Sequence, residues 1–251
     1  MSETFAETAL SLVSVARGLH ARGWLLGTSG NLSAVVDREP LRLAITPSGA
    51  DKGELAAAQI LLIDEHCKCI DQAILKLDNE SVRRVTAGAS HPSQFVLGNR
   101  QLDPDNPQSD LDNTQPGSGK PSDESPLHVA IVKARGAGAV IHTHSVWATV
   151  LSDVHTLEGG VAIEGYEMLK GLYGVSTHLH REWVPIIDNS QDMPALANTI
   201  NEVLAQYPFA HAFLLRRHGL YTWGRDLKEA TRHVEILEFL LEAVGRMREL
   251  R

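Results

Sequence analysis

His142 and His144 stand two residues apart in Ile-His-Thr-His-Ser, directly after the apolar run Ala139, Val140 and Ile141. In an extended strand, side chains at i and i+2 project from one face, so both imidazoles can converge on a single point. That is metal-ligand geometry, and the carboxyl end of a strand in an α/β sheet is where ligand sites usually form. A catalytic metal site needs a third ligand and open positions for substrate. His155, His178, His180, His211, His218 and His233 are the candidates. His218 stands out, because it lies between Arg217 and Gly219 where an apolar strand turns through a glycine and restarts. Three neutral imidazoles would let a divalent ion act as a Lewis acid on a carbonyl and stabilise the enediolate formed when a neighbouring proton leaves. The plainer reading of the same pattern is a set of strand-end or core histidines.

Three short segments of small and hydroxylated residues come next: Thr28-Ser29-Gly30-Asn31, Thr46-Pro47-Ser48-Gly49 and Gly119-Lys120-Pro121-Ser122. Small residues let main-chain N–H groups approach a phosphate, hydroxyls donate to it, and Lys120 adds charge. Each segment alone is also an ordinary turn. Two carboxylates complete the set. Glu124 follows the Lys120 segment, and Glu167 lies in Gly-Tyr-Glu-Met-Leu-Lys-Gly among enough apolar residues to expect partial desolvation and a raised pKa. Cys67 and Cys69 sit beside His66, but two cysteines build no disulfide framework and three residues fall short of a closed zinc site.

The elements that must hold these residues can be read from periodicity. Phe5, Ala9, Leu12, Ala16 and Leu19 share one face of a helix that Gly23 stops, and β-rich runs follow at 32–36, 41–45 and 60–63. The stretch at about 72–119 is read as a surface insertion, since its second half is rich in Asp, Asn, Pro, Gln and Ser. From Pro126 a helix leads into the strand 139–141, which implies α/β layering. A strand at 184–187, a helix at 195–204 and strands at 212–215 and 220–223 precede a last helix with Asp226 and Glu229 as a capping box. The whole is expected to form a single domain, 1–251.

Composition excludes several classes. The chain is 43% hydrophobic and 22% charged, with a formal charge of −8 and no Lys/Arg-rich block, which argues against nucleic acid. No apolar run of about 18 residues exists to span a membrane, and the acidic N-terminus is unlike a secretory signal, so a cytoplasmic protein is expected.

Taken together these motifs resemble the class II aldolase/epimerase family: a Gly-Asn loop, T-P-S-G, K-P-S-x-E, a strand-end H-x-H and a later H-G, in that order. Within it, Glu-Met-Leu-Lys-Gly at 167–171 and Arg-Arg-His-Gly-Leu-Tyr-Thr-Trp-Gly at 216–224 are similar to the dehydratase branch that serves methionine salvage. The resemblance implies a three-layer α/β/α sandwich around a mostly antiparallel sheet, a homotetramer with sites near subunit interfaces, and a small sugar-phosphate substrate. It implies one zinc ion per subunit on His142, His144 and His218, Glu167 as acid/base, and Gly30, Asn31, Ser48, Gly49 and Ser122 at the phosphate. Glu124 takes the place of the aldolases' catalytic carboxylate. The alternatives are an aldolase cleaving a ketose 1-phosphate, or a catalytically silent adaptor with the same fold.

Overall fold

The computed structural model describes residues 4–71 and 119–250, so the expected insertion, apart from Gly119, lies outside the described residues. Helix α1 (Phe5–Ala21) opens with a reciprocal cap, Thr4 Oγ1 accepting from the Glu7 N–H while the Glu7 carboxylate accepts from the Thr4 N–H. Its Ala9, Leu12, Ala16 and Leu19 are buried as their spacing predicts, and Gly23 (φ 79°) follows its end.

Strands β1 (Asn31–Arg38), β2 (Leu41–Ile45) and β3 (Leu61–Asp64) form an antiparallel meander. Helix α2 (Ser125–Arg135) then leads into β4 (Ala139–Thr143), helix α3 (Val146–Val154) and β5 (Gly160–Ile163). A short 3₁₀ turn (Glu167–Gly171) precedes β6 (Glu182–Ile187), helix α4 (Met193–Gln206), β7 (Ala212–Leu215), β8 (Gly219–Gly224) and helix α5 (Leu227–Glu249). The strands form one sheet in the order β3-β2-β1-β4-β8-β7-β6-β5, antiparallel throughout except between β6 and β7.

Alternation along the central strands assigns the layers. Ala139 and Ile141 of β4, with Ala212 and Leu214 of β7, pack on one face against α1, α3 and α5. Val140, Phe213, Tyr221 and Trp223 pack on the other against α2 and α4. This is the expected three-layer sandwich, with the core divided by the sheet. Helix α5 differs in one detail from the expected capping box. Asp226 does accept from the Glu229 N–H, but the Glu229 carboxylate accepts from the Arg225 N–H instead of returning to Asp226. Helix α3 leaves Val146, Val150 and Val154 exposed at four-residue spacing, with Leu157 fully exposed just beyond. The cysteines sit in a turn after β3, where Ile63 pairs with Cys69 and burial pushes the Cys67 thiol up to about 11.

Candidate metal centre

The triad assembles where β4 ends and β8 begins. His142 is the cross-strand partner of Tyr221, whose ring stacks on it at 3.9 Å with 13° between the planes; Phe213 of β7 backs Tyr221 at 5.0 Å. The His142 Nδ1–H donates to the Leu220 carbonyl (3.0 Å), which leaves Nε2 bare. Just beyond the strand, the His144 N–H is anchored on the Trp24 carbonyl. His218 enters through a strained turn. Arg217 has φ 54°, and α3 holds it there: Ser152 Oγ accepts from the Arg217 N–H, Asp153 pairs with Arg216 and Arg217, and Thr149 donates to the His218 carbonyl. Gly219 is required because a Cβ would stand 2.0 Å from the Thr143 carbonyl oxygen.

The three Nε2 atoms lie 2.8 Å (His142–His144), 3.0 Å (His144–His218) and 3.3 Å (His142–His218) apart. Burial, reinforced by the neighbouring imidazoles, holds His142 well below its ordinary pKa and His144 at about 4, and burial also lowers His218. The bare His142 Nε2 aims its lone pair into the cluster, and three imidazole nitrogens converging at such distances present the donors of a metal site. The donor set therefore fits a divalent ion that accepts imidazole, and among the described residues it is the one cluster of three able to hold such an ion.

Glu124 is the carboxylate beside this cluster. Its Oε1 is 3.3 Å from His218 Nε2 and 3.6 Å from His142 Nε2, and its Oε2 accepts from Asn31 Nδ2 at 2.7 Å. The Asn31 amide also donates to Ser122 Oγ (3.2 Å), and its Oδ1 accepts from His128 Nε2–H. His128 is buried and held neutral, with a pKa pushed down to about 3, and its Nδ1 accepts from Ser33 Oγ–H (2.8 Å). The hydroxyl–imidazole–amide chain thus fixes which way the Asn31 amide faces. His128 and Ser33 escaped the sequence reading. Their available signal was a histidine and a serine in otherwise apolar stretches, which is weak on its own.

The three small-residue segments do come together. Pro47 bridges to Pro121, the Ser48 N–H donates to the Lys120 carbonyl, and the Leu32 N–H donates to Thr46 Oγ1. Gly30 (φ 67°) is held against the metal centre, since a Cβ there would meet the His142 carbonyl oxygen at 2.7 Å. Gly49 (φ 71°) faces open space.

Two expectations need correction. Glu167 is not desolvated: it is 72% exposed, and its hydrogen bond to Lys170 holds its pKa below the usual carboxylate value. Among the described residues it pairs with Lys170 and His178, and neither is a triad residue. The Lys120 ammonium is likewise exposed and paired with Asp123 at 2.7 Å, so this segment offers the turns a carbonyl, not a charge.

Fold and site define a class II aldolase-type protein, and the chain belongs to that family: the Class II Aldolase and Adducin N-terminal domain matches residues 11–244. The relatives narrow the assignment. A methylthioribulose-1-phosphate dehydratase of Marinobacter nauticus is 36% identical over 239 residues, covering 95% of this chain and 92% of its own. That of Methylococcus capsulatus is 36% identical over 249 residues, covering 98% of each. Among solved structures, YgbL from Klebsiella pneumoniae superposes with a TM-score of 0.68 at 23% identity, covering 98% of this chain and 91% of that one. An L-fuculose 1-phosphate aldolase gives 0.64 at 20% identity, covering 97% and 87%. At these identities the structures speak for the fold alone.

Proposed function

We propose that this protein is a zinc-dependent hydro-lyase that dehydrates 5-methylthioribulose 1-phosphate to 2,3-diketo-5-methylthiopentyl 1-phosphate, in the cytoplasmic salvage of methionine. The observation that carries this reading is the convergence of three neutral imidazole nitrogens within 3.3 Å of one another, beside turns suited to a phosphate. The dehydratase relatives support the choice of reaction.

A divalent ion on His142, His144 and His218 would supply Lewis acidity at the substrate's C2 carbonyl and C3 hydroxyl oxygens, making the C3 proton more acidic. The chain's own groups do the rest. The turns at 28–31, 46–49 and 119–122 seat the phosphate and fix the distance from C1 to the metal centre. A carboxylate takes the C3 proton and passes it to the C4 hydroxyl, which leaves as water as the C3–C4 double bond forms, and the resulting enol becomes the diketone. We assign the proton carrier to Glu167. In its own chain Glu167 is exposed and without contact to the triad, so it serves the site of a second copy in a homotetramer. The exposed apolar stripe on α3, the helix that follows the H-x-H motif, supports such an interface.

Glu167→Gln tests the assignment: the variant should keep its metal and lose turnover by about 10²–10⁴-fold. His142→Ala should lose metal and activity together. Mixing the two inactive variants under conditions that exchange subunits should restore part of the activity; no recovery would return the role to a carboxylate of the same chain. Glu124 beside the triad favours a second reading, an aldolase that cleaves the carbon–carbon bond next to C3. Product analysis separates them, diketone and water against dihydroxyacetone phosphate and an aldehyde, and a silent adaptor would give neither.

A further inference from the structure

Lys52 is completely buried, which is unusual for a lysine without a carboxylate partner. Its ammonium donates to two main-chain carbonyls, Thr28 at 3.2 Å and Ala50 at 2.8 Å. Those carbonyls belong to different segments: Thr28 opens the turn that carries Gly30 and Asn31, and Ala50 follows the turn that carries Ser48 and Gly49. Among the described residues no carboxylate forms an ion pair with Lys52. Asp51 is the acid whose charge bears on it, but that carboxylate is 55% exposed, accepts from the Gly53 N–H and faces His20.

Carbonyl dipoles satisfy donors but supply no net charge, and an ammonium withdrawn from water without a counter-charge is costly. Burial accordingly lowers the pKa of Lys52. A phosphate group seated on the two turns would bring the missing negative charge. Lys120 does not fill this role, being paired with Asp123 at the surface.

We infer that Lys52 is the positioning cation of the phosphate subsite: it ties turn 28–31 to turn 46–49, and its buried charge makes the site select a phosphorylated substrate. The inference rests on the reading of those turns as a phosphate cradle, and its test separates the two. The full-length, metal-loaded protein is titrated with inorganic phosphate, following the melting temperature and competitive inhibition of turnover. Lys52→Met should keep its metal, weaken phosphate binding by about tenfold or more, and raise KM in proportion while changing kcat less, as the loss of one buried charge behind the turns requires. A lysine that only braces the fold would lower the melting temperature and leave phosphate affinity unchanged; that result overturns the inference and spares the functional reading. A wild-type protein indifferent to phosphate overturns both. Should Lys52→Met fail to fold, the wild type still decides: its Lys52 ¹⁵Nζ resonance must move when phosphate is added, and a resonance unmoved at saturation rejects the role.

Discussion

Glu238 is 2% exposed on α5, and burial pushes its carboxyl up to about 7 against hydrogen bonds from Ser145 and Thr143 that pull it down. Those two residues flank His144, so this carboxyl braces the ligand segment from behind. A folded pKa above the unfolded value of 4.5 means that the native state holds a proton the unfolded chain gives up. The stabilisation it brings is present below pH 4.5 and is lost as pH rises through about 7. Glu238→Gln should therefore flatten the fall in melting temperature between about pH 4.5 and 7, with the full difference, on the order of 3 kcal/mol, reached above about pH 7. Equal pH slopes in the two proteins would sink this account. Glu238 was illegible in the sequence, where a Glu in a long amphipathic helix reads as solvated. His142, His144 and His218 were legible because strand alternation and a glycine turn leave a distinct mark. The environment of Glu167 was misread for a related reason: Met168 and Leu169 are apolar neighbours, yet only Leu169 is buried, and the glutamate pairs outward with Lys170.

The elements meet at the metal centre with little tolerance. Thr143 of β4 and Gly219 of β8 are so close that the Cβ of any other residue at 219 would collide with main-chain atoms, 2.0 Å from the Thr143 oxygen and 3.1 Å from its carbon. Main chain cannot step aside as a side-chain tip can. Gly219→Ala should push β8 away from β4, lower stability by roughly 1–3 kcal/mol and weaken metal binding because His218 moves with the strand. Gly23→Ala is the control: φ there is 79°, nothing lies within 4 Å, and the loss should be about 1 kcal/mol with metal affinity intact. Metal titration by calorimetry distinguishes the two, and equal affinities would show that the strands can part without disturbing the triad. Most elements could be read from periodicity, including α1, β2, β4 and α5. Helix α3 and strand β5 could not. In Val-Trp-Ala-Thr-Val-Leu-Ser-Asp-Val apolar residues occur on the exposed side too, which hides the 3.6 period, and its β-branched residues suggest strand. Its one clear mark was Ser145, which caps it by accepting from the Ala148 N–H.

For the whole molecule, the exposed Val146, Val150, Val154 and Leu157 make assembly testable. The wild type should run in light scattering as about four chains of 27.4 kDa, and Val150→Glu should shift it to smaller species with its dichroism unchanged. A wild type of 27.4 kDa would remove the tetramer and with it the shared use of Glu167. The layer order was legible from the resemblance, whereas the strand order was not, because no local pattern reports which distant strands become neighbours. That order also has a kinetic meaning. The sheet is joined at its middle by β1 with β4 and by β4 with β8, pairing Asn31 with His142 and His142 with Tyr221. Both closures bring together parts of the chain far apart in sequence, and the first spans the whole segment between β3 and α2. Loop-closure entropy grows slowly, by about 0.6 kcal/mol for each doubling of length, so separation in sequence weakens the native state little. Its effect falls on rate, because non-local pairings form only after their entropy loss has been met. The metal ligands are gathered by the second of these closures, so a metal-binding signal during refolding should trail the recovery of helix instead of leading it.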